Sequence, residues 1–166
     1  MPVRVLGIDP GLRLTGYGLV DASSEPVQLI EAGVFRITKG AGSTALSLSA
    51  RLEELDSDFR AALERLKPDM VAIESIFAHY KHPATAIIMG HARGVLLLAV
   101  QQLAIPLVEL KPNAVKKAVT GFGHASKEQM QHAVQAVLSL AEPPNPPDVA
   151  DALAIALCAS QRRMTF

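Results

Sequence analysis

The stretch Val3-Arg4-Val5-Leu6-Gly7-Ile8-Asp9-Pro10-Gly11 constrains the fold more than any other part of the chain. Apolar residues run almost unbroken into Asp9, and Pro10-Gly11 ends the run. A short Val, Leu and Ile run closed by a turn dipeptide predicts a strand buried on both faces. A carboxylate at the end of such a strand is costly unless a hydrogen bond or a cation compensates it. Asp9 opening an ordinary turn is the plain alternative, and the positions of the other acids decide between the two.

The segments after Gly11 arrange themselves around that strand. Leu14 to Val20 predicts a second strand, Asp21 to Pro26 a polar turn, and Val27 to Ile30 with Gly33 to Ile37 either a strand pair or a continuing meander. Joined by short turns, these strands are expected to be antiparallel neighbours. Lys39 to Ser43 is expected to be a flexible connection. Leu48, Leu52, Leu55, Phe59, Leu63 and Leu66 then recur at spacings of three and four, one stripe of an amphipathic helix that Lys67-Pro68-Asp69 stops. Met70 to Ile73 predicts a buried strand ending in Glu74. Reached by a helical crossover, it is expected to lie parallel to the first strand.

Ser75 to Pro83 reads as a loop, Thr85 to Leu103 as a long apolar helix, and Leu107 to Leu110 as the last strand. Gly90 and Gly94 lie one turn apart in that helix. Glycine inside a helix costs roughly 1 kcal/mol against alanine, so the pair suggests close approach of another backbone. A homodimer contact is the reading preferred, with a fully buried central helix as the alternative. Pro112 to Val119 predicts a short helix and Ser126 to Leu138 another, opened by a capping box of Ser126 and Gln129. Pro143 to Pro147 reads as an extended lead-in, with Asp148 to Asp151 opening a final helix from Ala152 to about Arg163. The expected fold is a single α/β domain over residues 1–166, a mixed five-stranded sheet flanked by helices.

Composition matters here for what it excludes. The lone Cys158 rules out a disulfide framework and a thiolate metal site, which suits a reducing cytoplasm. No signal-like segment opens the chain, and the apolar run around Val95 to Val100 reads as too short and interrupted to cross a bilayer. Net charge is zero, but from Ser75 to Lys127 the acid Glu109 stands alone against Lys81, Arg93, Lys111, Lys116, Lys117 and Lys127. A neutral protein with a basic middle can bind a polyanion through one face; chance clustering of solvated lysines is the alternative.

Asp9 and Glu74 end strands expected to be parallel neighbours, so both emerge at the edge of the sheet where ligands bind in α/β folds. Asp148 and Asp151, three apart at a helix start, project from one face. Either alone reads as an N-cap, and Glu74 alone as a strand-end charge facing water. Four carboxylates brought together repel unless divalent cations neutralise them, and oxygen-only ligands suit Mg²⁺ or Mn²⁺ rather than Zn²⁺. Two such ions can drive in-line displacement at a phosphodiester.

The blocks Leu6 to Gly18, Ala72 to Phe77, Gly90 to Gly94 and Asp148 to Ala156 closely resemble, in order and spacing, the RuvC family of bacterial Holliday junction resolvases. The resemblance spans essentially the whole chain. It implies a ribonuclease H-like fold, a homodimer, a cytoplasmic protein, and paired Mg²⁺-dependent cleavage of a four-way DNA junction during recombination and repair. Two ions per site are expected, with Mn²⁺ as a substitute. Asp9, Glu74, Asp148 and Asp151 match the family's catalytic, metal-holding carboxylates, although some relatives have His at the position of Asp148. Phe77 matches an aromatic used against bases at the junction centre, and Lys116 and Lys127 match basic residues near the scissile strand. Lys81, Arg93 and Lys117 complete the expected DNA contacts, and the branch-migration proteins RuvA and RuvB are implied as partners.

Three other readings remain at this stage. An actin-like sugar or acetate kinase shares the Asp-Pro-Gly opening but needs two such domains. A junction- or RNA-binding relative without catalysis would not need four costly acids beside a polyanion. A ribonuclease H-type enzyme acting on RNA–DNA hybrids would use the same carboxylates.

Overall fold

The computed structural model describes residues 3–37, 46–75 and 83–163. Among them five strands form one mixed sheet: β1 (Arg4–Asp9), β2 (Leu14–Asp21), β3 (Gln28–Arg36), β4 (Met70–Glu74) and β5 (Leu107–Leu110), in the order β3-β2-β1-β4-β5. As expected, β1 pairs antiparallel with β2 and parallel with β4, and β5 lies parallel beyond β4. Five helices accompany them: α1 (Leu48–Leu66), α2 (Pro83–Gln102), α3 (Pro112–Thr120), α4 (Lys127–Val137) and α5 (Pro147–Arg163). This is the ribonuclease H-like arrangement.

The alternation of β1 divides the core. Leu6 and Ile8 face one side and pack with Leu55, Phe59 and Leu63 of α1 and with Ala92, Leu96 and Val100 of α2. Val5, Ala72 and Met70 face the other side, where α5 brings Leu153, Ile155 and Leu157 and α4 brings Met130 and Val134. Val5, Leu6 and Ile8 are fully buried, so β1 is covered on both faces.

The ends of the elements follow local chemistry. Ser126 and Gln129 form the reciprocal capping box, the Ser126 hydroxyl accepting from the Gln129 N–H at 3.2 Å and the Gln129 Oε1 from the Ser126 N–H at 2.8 Å. Lys67 and Gly121 close α1 and α3 in left-handed conformations.

Two alternatives are decided and two expectations corrected. Of the two readings of Val27 to Ile37, the continuing meander holds: it forms one strand, β3, antiparallel to β2 with one irregularity between Leu19 and Val20. The last helix starts at Pro147 rather than Ala152, since proline is pre-set for a first helical position. Asp148 and Asp151 therefore lie within its first two turns. The long helix is not a buried central one: Ile87, Ile88 and Leu98 are exposed, and a Cβ on Gly90 or Gly94 would meet nothing within 4 Å. Finally, α2 is long and apolar enough to cross a membrane by length and composition, its most apolar 18 residues having a mean hydropathy of 1.5. The run around Val95 to Val100 is only its centre, and Ala, Gly and Ile residues toward Pro83 extend it. In the fold, α2 docks by one side on α1, burying Ala92, Leu96, Ala99 and Val100.

Candidate active site

Register fixes the first two acids. β1 and β4 run parallel with Ile8 opposite Ile73, so the next residues, Asp9 and Glu74, end adjacent strands at the same level. Both share the parity of Val5, Ala72 and Met70, which places them on the α5 face of the sheet. The turn after Asp9 is tied down by Thr15. Its fully buried hydroxyl donates to the Gly11 carbonyl at 2.5 Å and accepts from the Gly11 N–H at 3.1 Å.

Three glycines bring α5 to those acids. A Cβ on Gly7 would overlap the Ala152 carbonyl and the Ala156 nitrogen, and one on Gly16 would overlap the Asp148 carbonyl. At Gly18 it would run into Leu153. Gly16 is also the cross-strand partner of Asp9. The backbone of α5 thus lies directly on β1 and β2, and Asp148 and Asp151 reach the sheet edge because no side chain separates helix from strand. Alanines at 150, 152, 154 and 156, all buried, complete the tight layer.

The resulting cavity, about 210 Å³, is lined by Asp9, Glu74, Asp151, Lys116 and Lys127, with Pro112, Val115 and Met130 as its apolar wall. Asp148 is not on that wall, yet its charge reaches Asp9. Burial first, then the charges of Asp151, Asp148 and Glu74, push the Asp9 carboxyl up to about 8. Lys127 opposes the rise. Glu74 is raised by burial and by Asp151, against Lys116. Asp151 is raised by burial and Asp148, while Lys127 and Lys116 pull it down. Four acids from three elements therefore share one electrostatic site, and two lysines from α3 and α4 face it. Among the described residues no three acid, His or Cys side chains stand as a ready-made metal cage.

Residues 5–159 match the family model for crossover junction endodeoxyribonuclease RuvC. The chain is 46% identical over 156 residues to RuvC of Chloroflexus aggregans, covering 94% of this chain and 92% of that one. It is 42% identical to RuvC of Thermosipho melanesiensis over 94% of this chain and 96% of that one. The solved structure of Thermus thermophilus RuvC superposes with a TM-score of 0.84 at 33% identity, covering 98% and 97% of the two chains. The same protein in complex with a Holliday junction substrate superposes at 0.82 with 31% identity, over 98% and 96%.

The chain belongs to the RuvC family of crossover junction endodeoxyribonucleases.

Against the RuvC frame, the expected DNA contacts separate. Lys116, half-buried on α3, and Lys127, at the start of α4, line the cavity. Lys117 is exposed and does not line it, since one residue along a helix turns the side chain about 100° away. Arg93 is held within the protein: its guanidinium pairs with Glu109 of β5, and its Nε donates to the Glu74 carbonyl at 3.3 Å. Phe77 and Lys81 lie outside the described residues.

Several positioning residues were not singled out from the sequence. Gly7, Gly16 and Thr15 act through backbone proximity rather than charge. Glycines alternating within apolar strands were the available signal, because a strand loses packing at each glycine unless something fills the space.

Proposed function

We propose that the Asp9–Glu74–Asp151 cavity, with Asp148 beside it, is the catalytic centre with which this RuvC-family endonuclease cuts four-way DNA junctions. The family resolves Holliday junctions, and the chain is a resolvase by membership. The observation that carries the site assignment is the convergence of four acids from β1, β4 and α5 at one sheet edge, with Asp9 driven up to about 8.

The donor set fits Mg²⁺. It is all oxygen, it is partly buried, and its mutual repulsion is what a divalent cation relieves. Asp9, Glu74, Asp148 and Asp151 would hold the metal, two ions being the expected load, with Mn²⁺ as an alternative. Bound Mg²⁺ would neutralise phosphate charge and lower the pKa of an attacking water. The chain's own groups do the rest. Lys116 and Lys127 offer phosphate contacts from the opposite wall, which position the strand without reading its sequence. The apolar wall of Val115 and Met130 limits water around the acids and so strengthens the charge interactions there.

A homodimer accompanies this reading. Paired nicks need two sites related by symmetry, and the exposed Ile87, Ile88 and Leu98 of α2, with open space over Gly90 and Gly94, suit a second copy. RuvA and RuvB as partners, and a cytoplasmic location, rest on the family alone.

The test is cleavage of a mobile four-way DNA junction with Mg²⁺, Mn²⁺ or EDTA, beside linear duplex and an RNA–DNA hybrid. Paired nicks on the junction alone, lost in EDTA, are expected. Cutting of the hybrid instead would overturn the substrate, and binding without cutting would overturn the catalytic assignment.

A further inference from the structure

The α3–α4 connection carries an exposed aromatic that neither the core nor the carboxylate site uses. Phe122 is 58% exposed, whereas Phe35 and Phe59 are buried. Among the described residues its ring pairs with one other, the exposed ring of His124, edge to face at 5.7 Å between centroids. Leaving a phenylalanine in water forgoes burial that is ordinarily favourable, so the placement asks for an occupant.

The loop is fixed rather than loose. Gly121 adopts the left-handed conformation at φ 79° and closes α3 with its N–H on the Lys117 carbonyl. The Thr120 hydroxyl stands 2.8 Å from the Lys116 carbonyl and 2.9 Å from that of Phe122, able to donate to either, and accepts from the Phe122 N–H at 3.1 Å. Buried Ala125 then anchors the far side, donating its N–H to the Phe122 carbonyl at 3.3 Å. Backbone atoms of Lys116 and Phe122 therefore share one hydroxyl. The other end of the loop runs through the Ser126 cap into Lys127. The aromatic pair is bracketed in sequence and in hydrogen bonding by the two lysines that face the acids.

We infer that Phe122, backed by His124, is a stacking platform for an unpaired nucleobase of the junction strand whose phosphates lie against Lys116 and Lys127. This rests on the reading of the cavity as the cleavage site and adds a contact to it. Single-stranded nucleic acid is held where an aromatic face accompanies cations, the lysines taking phosphates and the ring a base, and here the ring lies on the loop that joins the helices of Lys116 and Lys127. The order already present in the loop lowers the cost of that contact. Stacking is tolerant of base identity, so the platform grips distorted strands without reading sequence.

The experiment compares wild type, Phe122→Ala, Phe122→Trp and Lys116→Ala on a four-way junction carrying 2-aminopurine next to the cut site. Binding is read in EDTA at several salt concentrations, and single-turnover cleavage in Mg²⁺. Phe122→Ala is expected to weaken binding about five- to fifty-fold with an unchanged salt slope and an unchanged melting temperature. The 2-aminopurine signal should lose its quenching. Phe122→Trp should retain both. Lys116→Ala should instead flatten the salt slope. Wild-type affinity and quenching in Phe122→Ala, or equal losses in the Ala and Trp variants, would overturn the platform while leaving the carboxylate site standing. Failure of the wild type to cut the junction would overturn the site reading itself.

Discussion

The two faces of the sheet are built on opposite plans. On the α1–α2 face, large side chains fill the space between strand and helix: Leu6, Ile8, Phe35, Leu55, Phe59 and Leu96. On the α5 face, Gly7 of β1 meets Ala152 and Ala156, Gly16 of β2 meets the Asp148 backbone, and Gly18 meets Leu153. The first plan stabilises by burying apolar area, and it tolerates modest exchange of one hydrophobic residue for another. The second also buries large side chains, Leu153, Ile155 and Met130 among them, but at Gly7 and Gly16 it sets helix backbone against strand closely enough to place carboxylates from three elements together. The difference teaches where precision is needed: the four acids sit on the face where helix and strand backbones touch.

The sharpest way to break this comparison is at the acids themselves. Asp9→Asn, Glu74→Gln, Asp148→Asn and Asp151→Asn should each lower junction cleavage by about a thousandfold or more, with junction binding largely kept. A gel assay that resolves bound from cut DNA checks both, and wild-type cutting by any one variant removes that residue from the set. Next come the glycines. Gly7→Val or Gly16→Val should cost roughly 3 kcal/mol or more by forcing α5 off the sheet, and cleavage should fall even where circular dichroism shows the chain folded.

Leu55→Ala sharpens the contrast from the other face. It should cost about 2–5 kcal/mol of stability through the cavity it leaves, yet cut at close to the wild-type rate at a temperature where it remains folded. A pH series measures the strain at the acids directly. Asp9 binds its proton in the native state up to about 8, against 3.8 in a free carboxyl. Metal-free protein should therefore hold this stabilisation in full below about pH 4 and lose it as pH rises through about 8. Urea midpoints in EDTA should fall across that window by the equivalent of about 1–2 kcal/mol, allowing for the partial exposure of the site, and Asp9→Asn should flatten the fall. The smallest effect on the single chain belongs to Ile87→Glu on the exposed side of α2. Its unfolding free energy should move by less than about 0.5 kcal/mol, while sedimentation should report a smaller particle.

Much of this was legible in the residues. The buried strand, the parallel placement of Met70–Glu74 and the carboxyl-edge location of Asp9 and Glu74 all follow from short apolar runs and one helical crossover, signals that tertiary packing reinforces. The capping box at Ser126 is local and was legible for that reason. The start of α5 was not, because the prolines at 143, 144, 146 and 147 read alike in sequence while only Pro147 takes a helical position. The docking role of Gly7 and Gly16 was hidden too: a glycine shows that space is wanted, but only the fold shows which helix occupies it. For the exposed side of α2 the signal was Gly90 and Gly94 alone, since an all-round apolar helix has little periodicity to read.

β1 can be edited but not lengthened. Its odd-numbered residues, Val5, Gly7 and Asp9, look toward α5, and its even-numbered ones, Leu6 and Ile8, look toward α1. Exchanging one aliphatic residue for another along it changes how well the layers fit. Inserting or deleting a single residue before Asp9 would do something different in kind: it would turn the carboxylate toward the oily layer and aim an isoleucine or a proline at the acids of α5. Variation at this strand is therefore confined to spelling, with the count of letters held fixed.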